Sequence, residues 1–308
     1  MEREKFDLIV IGAGPAGLTA GLYGSRLGVK TAIFEKLSPG GAITLSSEIE
    51  NYPGVCEVKD GLSFMECWSE QATRFGAQLK LEEVLELKKE GDLFLVKTSG
   101  GEYQSIAVIV ATGSTHRKAG FKGEQEFTGR GVSYCAVCDG FFYKGKPVAV
   151  VGGGDTALEE ALYLSKIAEK VYLIHRRDRF RAAPATQKRV FNTPNIQILW
   201  NTRVKEVRGG QFVEELILER EGREEILKVP GIFVFVGMNP NTKLVEGLAE
   251  LDSNRQLKVN LRMESSLPGL YGAGDIRSES VRQVVAAAGD GAVAAINSVK
   301  YIENYRGE

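Results

Sequence analysis

Twice in this chain a short apolar run ends in a glycine turn and passes into a helix. The first is FDLIVIGAGPAGLTAGLYGSRLG, with Gly12, Gly14 and Gly17 in Gly-x-Gly-x-x-Gly spacing. The second is KPVAVVGGGDTALEEALYLSKIAEKVYLIHRRDRFRA, where Gly152, Gly154 and Ala157 hold the same spacing and alanine takes the third place. In such a turn the first glycine permits the tight bend, the second lets the backbone approach a pyrophosphate, and the third lets helix and strand pack closely. The helix start then presents free N–H groups and a positive dipole end to an anion. A chain that contains this unit twice is predicted to be α/β, with two Rossmann-like, three-layer nucleotide-binding domains.

The ends of the following strands differ. After the first turn the run KTAIFEK finishes in Glu35, where an acid would hold a pair of ribose hydroxyls. After the second turn the corresponding place reads HRRDRFR, and Arg176, Arg177 and Arg181 stand where the acid stood. An acid repels a 2′-phosphate, whereas arginines bind one through charge-assisted, bidentate hydrogen bonds. The first turn therefore favours an unphosphorylated ribose and the second a phosphorylated one; a solvated basic helix start is the alternative for the arginines. Two dinucleotide sites of unlike preference suggest that electrons pass between nucleotides. NADPH suits the second, and a flavin dinucleotide the first, because a soluble nicotinamide cannot accept from another and still deliver to sulfur.

Two further segments read as parts of the first unit. SIAVIVATGSTHRK is a buried strand running into Ala111-Thr112-Gly113. PGLYGAGDIRSESVRQVVAAAGDGAVAAINSVKYIENY is a strand into Gly272-Ala273-Gly274-Asp275, followed by a helix of small residues able to lie close to a sheet or cofactor. The second glycine turn lies between these segments, so the second domain is expected to be inserted into the first. The expected division is residues 1–115 with 245–308, and residues 118–240, joined through TGSTHRKAG and VGMNPNTK, stretches with the Gly, Pro and Asn of chain crossings.

Composition sets outer limits. A length of 308 residues suits about two domains. A formal charge of −1 argues against nucleic acid as partner, and no apolar stretch approaches the length of a membrane span or a signal peptide. The chain has four cysteines, too few for a disulfide scaffold, which points to the cytosol. Two of them, Cys135 and Cys138, form a Cys-x-x-Cys pair in YCAVCDGFFY. With only His116 and His175 as histidines and no second cysteine pair, a four-ligand zinc site is not expected. A permanent staple across so short a loop would gain little, so a reversible dithiol remains, one thiol attacking and the other resolving. Asp139 is the nearest group for moving a proton, or else a turn residue. Cys56 and Cys67 are expected to be single buried or half-buried thiols without chemistry.

The combination GAGPAG, ENYPG, ATG, CAVCDGFFY, GGGDTALEEA, HRRDRFRA and GAGDIR…VRQ closely resembles the low-molecular-weight thioredoxin reductases of the pyridine nucleotide-disulfide oxidoreductase superfamily, from Phe6 to the final helix. The resemblance implies FAD at Gly12, Gly14, Gly17, Glu35, Gly41, Asn51, Val84, Ala111, Thr112, Gly113, Gly274, Asp275, Arg282 and Gln283. It implies NADPH at Gly154, Asp155, Thr156, His175, Arg176, Arg177 and Arg181. It makes Cys138 the thiol facing the flavin, Cys135 the one attacking the protein substrate, Asp139 the acid/base, thioredoxin or a thioredoxin-like redoxin the substrate, and the protein a homodimer. One departure stands out: the family's Gly-Gly-Gln-Leu is GGAI here, and Ala42 cannot supply the glutamine's amide. Because the dithiol and the second glycine turn share the inserted domain, both are expected to serve one flavin in alternation, the inserted domain turning as a rigid body about its two linkers.

Overall fold

The computed structural model of the chain describes residues 3–45, 49, 52–57, 60–134 and 136–307, without the side chains of residues 137 and 138. It divides into two compact units, Met1–Thr115 with Asn239–Glu308, and His116–Met238. The crossing strands Ser114–His116 and Met238–Pro240 pair with each other as a two-stranded ribbon.

In the first unit a seven-stranded sheet is built around Glu4–Ile11, which pairs in parallel with Thr31–Phe34 on one side and Glu102–Val110 on the other. Gln78–Lys80 extends one edge in parallel, and Leu270–Gly272 pairs in parallel with Glu102–Val110. The strands Leu93–Thr98 and Val84–Glu90 continue the sheet as an antiparallel meander. Leu8, Ile9 and Val10 are each fully buried, as a strand covered on both faces requires. Leu8 and Val10 pack with Leu18, Ala294 and Val299 of the helices Pro15–Arg26 and Val284–Arg306. Ile9 and Ile11 pack into the opposite layer with Phe34, Phe94, Val96 and Leu257.

The second unit repeats the plan on a smaller scale. Five parallel strands run in the order Ile196–Leu199, Lys170–Ile174, Pro147–Gly152, Ile232–Phe235 and Val132–Ser133. Val148 and Val150 meet Leu158, Ala161 and Leu173 on the side of the helix Asp155–Ser165. Ala149 and Val234 meet Val207, Leu216 and Leu218 of an antiparallel three-stranded sheet, Thr202–Gly209, Val213–Arg220 and Arg223–Lys228. Each unit is thus layered on both faces of a mainly parallel sheet, and the expected α/β class with two Rossmann-like domains holds. Among the described residues no helix is long and apolar enough to cross a membrane.

Candidate functional site

At the end of the strand Glu4–Ile11 the backbone of Gly12 takes a φ of +102°, and a Cβ on Gly17 would stand 1.8 Å from the Gly12 carbonyl oxygen. No side chain larger than hydrogen fits between turn and helix at that point. Gly14 is the N-cap of the helix Pro15–Arg26, with Pro15 at its first position and no side-chain cap. The first helical N–H groups therefore have no intrahelical or side-chain acceptor, which is the local requirement for an anion. Gly41 closes the turn from above, where a Cβ would lie 3.0 Å from the Gly14 Cα. Glu35 reaches the same place: its Oε2 accepts from the Ala13 N–H at 2.9 Å and its Oε1 from the Leu37 N–H at 3.1 Å. Each oxygen keeps a further lone pair for a ribose hydroxyl.

Other loops converge on this turn. The carbonyl of Ala111 lies against Gly12, and the Ala111 N–H donates to the Ile11 carbonyl at 2.8 Å. The next residue, Thr112, is locked by Asn241, which sequence reasoning passed over. The Thr112 hydroxyl donates to the Asn241 carbonyl at 2.8 Å, and the Asn241 amide donates to the Thr112 carbonyl at 2.8 Å. The Asn241 N–H adds a bond to the Gly113 carbonyl at 3.0 Å. Gly274 rests on Ala16 in the first turn of the helix, and Asp275 follows it, its Oδ1 accepting from the Ser280 hydroxyl at 3.1 Å. Burial pushes the Asp275 carboxyl above its ordinary range. Arg282 is exposed with a φ of +56°, and Gln283 is the N-cap of the helix Val284–Arg306. Ala42 lies in the 3-10 turn Gly41–Leu45 and offers only a methyl group. Val84 opens the strand Val84–Glu90 and packs half-buried against the cluster of Leu87 and Phe94, with two strands between it and Glu4–Ile11 in the sheet order. Asn51 lies outside the described residues.

The second glycine turn is built in the same way. A Cβ on Gly152 would lie 2.4 Å from Ala157 Cβ, while the space beyond Gly154, the N-cap of the helix Asp155–Ser165, is open. Asp155 Oδ1 accepts from the Ala183 N–H at 2.7 Å and the Arg181 N–H donates to the Gly153 carbonyl at 2.8 Å, which brings the arginine segment beside the turn. Thr156, Arg176, Arg177 and Arg181 are exposed, and among the described residues none of the three guanidinium groups is in an ion pair. His175 differs from its neighbours. It is buried under Gly153, its Nε2 is 3.0 Å from the Arg179 carbonyl, and its ring lies against Phe180 and Trp200. Burial holds it below the ordinary histidine range, so it supports the turn as a neutral ring.

The dithiol segment belongs to the same unit. Cys135 and the side chain of Cys138 lie outside the described residues; the backbone from Ala136 to Asp139 makes one helical turn. Ala136 is fully buried with Ala157, Leu158 and Ala161 of the glycine-turn helix. Asp139 is half-buried near Tyr143, whose hydroxyl is raised by burial and then by that carboxylate. Phe141 and Phe142, 71% and 70% exposed, form an apolar patch directly after the pair. Tyr134, just before it, donates to the buried carboxylate of Glu124 at 2.8 Å, and burial together with that partner pushes its hydroxyl up to about 12. Glu124 also accepts from the Ala119 and Gly120 N–H groups, at 2.8 and 2.6 Å. Both phenylalanines belong to the motif CAVCDGFFY, but the sequence alone assigned them no role.

Cys56 and Cys67 are both exposed, against the expectation of burial. Cys67 sits on the outer face of the helix Gly61–Arg74, whose buried face is Gly61, Phe64, Met65 and Ala72. Helical register outweighs the general apolar character of a thiol there.

Comparison with known proteins agrees with this geometry. A family model described as pyridine nucleotide-disulphide oxidoreductase matches residues 6–291. The chain is 47% identical to a thioredoxin reductase of Helicobacter pylori, over 97% of this chain and 99% of that one. The fold superposes on the crystal structure of Lactococcus lactis thioredoxin reductase with a TM-score of 0.90 at 35% identity, covering 97% of this chain and 99% of the other. For the T. acidophilum thioredoxin reductase the TM-score is 0.87 at 31% identity, with 98% and 100% covered.

Proposed function

The chain belongs to the pyridine nucleotide-disulphide oxidoreductase family, among its low-molecular-weight thioredoxin reductases, and from that premise we propose that it is an NADPH-dependent flavoprotein reducing the disulfide of thioredoxin. The observation that carries the reading is the contrast between two uncapped glycine turns in one chain. Glu35 guards the first, and three arginines without an ion pair among the described residues flank the second.

The first turn fits FAD. The uncapped helix start at Gly14 receives the pyrophosphate and Glu35 the adenosine ribose, while Ala111 to Gly113, Gly274 and Asp275 supply backbone and carboxylate groups around the same helix end. Held there, FAD would supply two-electron transfer chemistry between a nicotinamide and a disulfide. At the second turn the Gly154 helix start receives the NADPH pyrophosphate, and Arg176, Arg177 and Arg181 bind the 2′-phosphate. His175 positions this turn from beneath.

Cys135 and Cys138 are the electron acceptor within the chain, and their reduced thiols transfer two electrons onward by thiol–disulfide exchange. The Cys135 thiolate attacks one sulfur of the thioredoxin disulfide and the other sulfur leaves as a thiolate. The Cys138 thiolate then attacks Cys135 in the mixed disulfide, releasing the second thioredoxin thiolate and re-forming the pair. Asp139 moves the protons these steps require. Phe141 and Phe142 give the protein substrate an apolar landing place beside the pair. The inserted unit presents nicotinamide and dithiol in turn. We place the enzyme in the cytosol, as a homodimer.

The absorbance spectrum tests the reading. The purified protein is expected to be yellow, to bleach on anaerobic addition of NADPH, and to regain its colour when oxidised thioredoxin follows. A colourless protein, or a colour unresponsive to NADPH, overturns it.

A further inference from the structure

The helix Val284–Arg306 lays a run of small residues against the first helix, and one charged residue stands in that run, Asp290, 7% exposed. The approach is close: a Cβ on the adjacent Gly291 would lie 2.1 Å from the Ala16 carbonyl oxygen. Asp290 is paired with Arg277, whose Nε donates to Oδ2 at 2.6 Å and whose Nη2 donates to Oδ1 at 3.0 Å. Two more bonds tie the pair to the loop. Oδ2 also accepts from the Gly274 N–H at 3.1 Å, and Nη1 of Arg277 donates to the Ser278 carbonyl at 3.1 Å.

A buried ion pair is a weak source of stability, because desolvation offsets most of the Coulombic gain; its better use is to fix one geometry. The geometry fixed here is the turn Gly274–Ile276. Gly274 has a φ of +76°, and a Cβ on it would sit 3.0 Å from Ala16 Cβ. Backbone bonds fasten the rest of the loop: Arg277 N–H to the Gly274 carbonyl at 3.2 Å, Leu257 N–H to the Ile276 carbonyl at 2.9 Å, and Ser278 N–H to the Leu257 carbonyl at 2.9 Å. Among the described residues it is Asp290 that takes the Gly274 N–H, and Arg277 holds Asp290 in place from the far side of the turn.

Resting on the flavoprotein reading above, we propose that Arg277 and Asp290 are positioning residues for FAD: the pair sets the Gly274–Asp275 turn against the first helix and so fixes the polar groups that receive the cofactor, without touching it.

Holoenzyme variants test this. Asp290→Asn keeps the shape but gives up the charge-assisted bonds. It is expected to release FAD at least tenfold faster on ultrafiltration and to alter the visible circular dichroism of the bound flavin. Arg277→Lys, with the charge but not the fork, falls between it and the wild type. The double variant Arg277→Met with Asp290→Leu removes both buried charges together but leaves the Gly274 N–H without its acceptor, so its flavin-free form unfolds no more than about 5 °C below the flavin-free wild type while the loosening of FAD persists. The proposal is overturned if the double variant holds FAD with unchanged dissociation rate and dichroism. It is equally overturned if, across these variants, the loosening of FAD only follows the fall in the unfolding midpoint of the flavin-free protein. A wild-type protein that carries no flavin at all defeats the flavoprotein reading itself, and this proposal with it.

Discussion

Replacing Arg176, Arg177 and Arg181 together by glutamine removes the positive charge beside the second glycine turn and leaves the turn itself in place. The Arg181 bond to Gly153 runs through the backbone, and the three side chains are exposed, so the change costs stability within about 0.5 kcal/mol. A hydrogen bond to a charged group contributes about 1.5–3 kcal/mol, and solvent screening at an exposed site puts these near the lower figure. Two such bonds to the 2′-phosphate amount to about 3 kcal/mol, or a fall of about 150-fold in kcat/KM for NADPH. NADH has no 2′-phosphate, so its kcat/KM is expected to change less than about threefold, since no such bond is lost. Raising the ionic strength should erode the preference of the wild type and leave that of the triple variant flat. Steady-state kcat/KM with each nucleotide, at two salt concentrations, measures all of this. Equal use of NADPH and NADH by the wild type, or an equal loss for both in the variant, would refute the assignment of the arginines.

Cys135→Ser is expected to abolish thioredoxin reduction while NADPH still bleaches the flavin, and Asp139→Asn to slow disulfide turnover by roughly 10²–10⁴ with the KM for NADPH unchanged; retained thioredoxin reduction by Cys135→Ser shows the assigned thiol roles to be wrong. Phe141→Ala with Phe142→Ala, both exposed, should raise the KM for thioredoxin about tenfold or more without moving the unfolding midpoint or the flavin bleaching rate. An unchanged KM removes the patch from the docking surface. Glu160, on the helix behind the dithiol turn, has a buried Oε2 without a hydrogen-bond partner among the described residues, and burial followed by Glu159 pushes its carboxyl up to about 7. A raised folded value stabilises fully below the unfolded value near 4.5 and is lost as pH climbs through 7. Urea unfolding of Glu160→Gln should therefore match the wild type near pH 4 and exceed it by up to about 3 kcal/mol at pH 8; equal midpoints at pH 8 contradict it.

What could be read in advance follows from the kind of constraint involved. Glycine spacing is legible because it records a steric fact local to a few residues. At Gly17 a side chain would collide with Gly12, and at Gly152 one would collide with Ala157; the α/β class with two Rossmann-like units follows directly. The charge at a strand end is legible for the same reason, since Glu35 and the Arg176–Arg177 pair occupy equivalent places after equivalent turns. Partner choice is not local. Thr112 and Asn241 are 129 positions apart, and nothing in either neighbourhood announces their reciprocal bonds. Cys67 misled for a related reason: whether a helical thiol is buried depends on which face the rest of the fold covers. Asp290 lies between the two cases. A single acid in a run of alanines and glycines is visible as an anomaly, and such a residue in a buried helix must find a cation. Which cation, and what the pair holds still, became readable only once Gly274 was seen resting on Ala16 with its N–H on the same carboxylate. An unexplained buried charge is thus a legible question whose answer requires the fold.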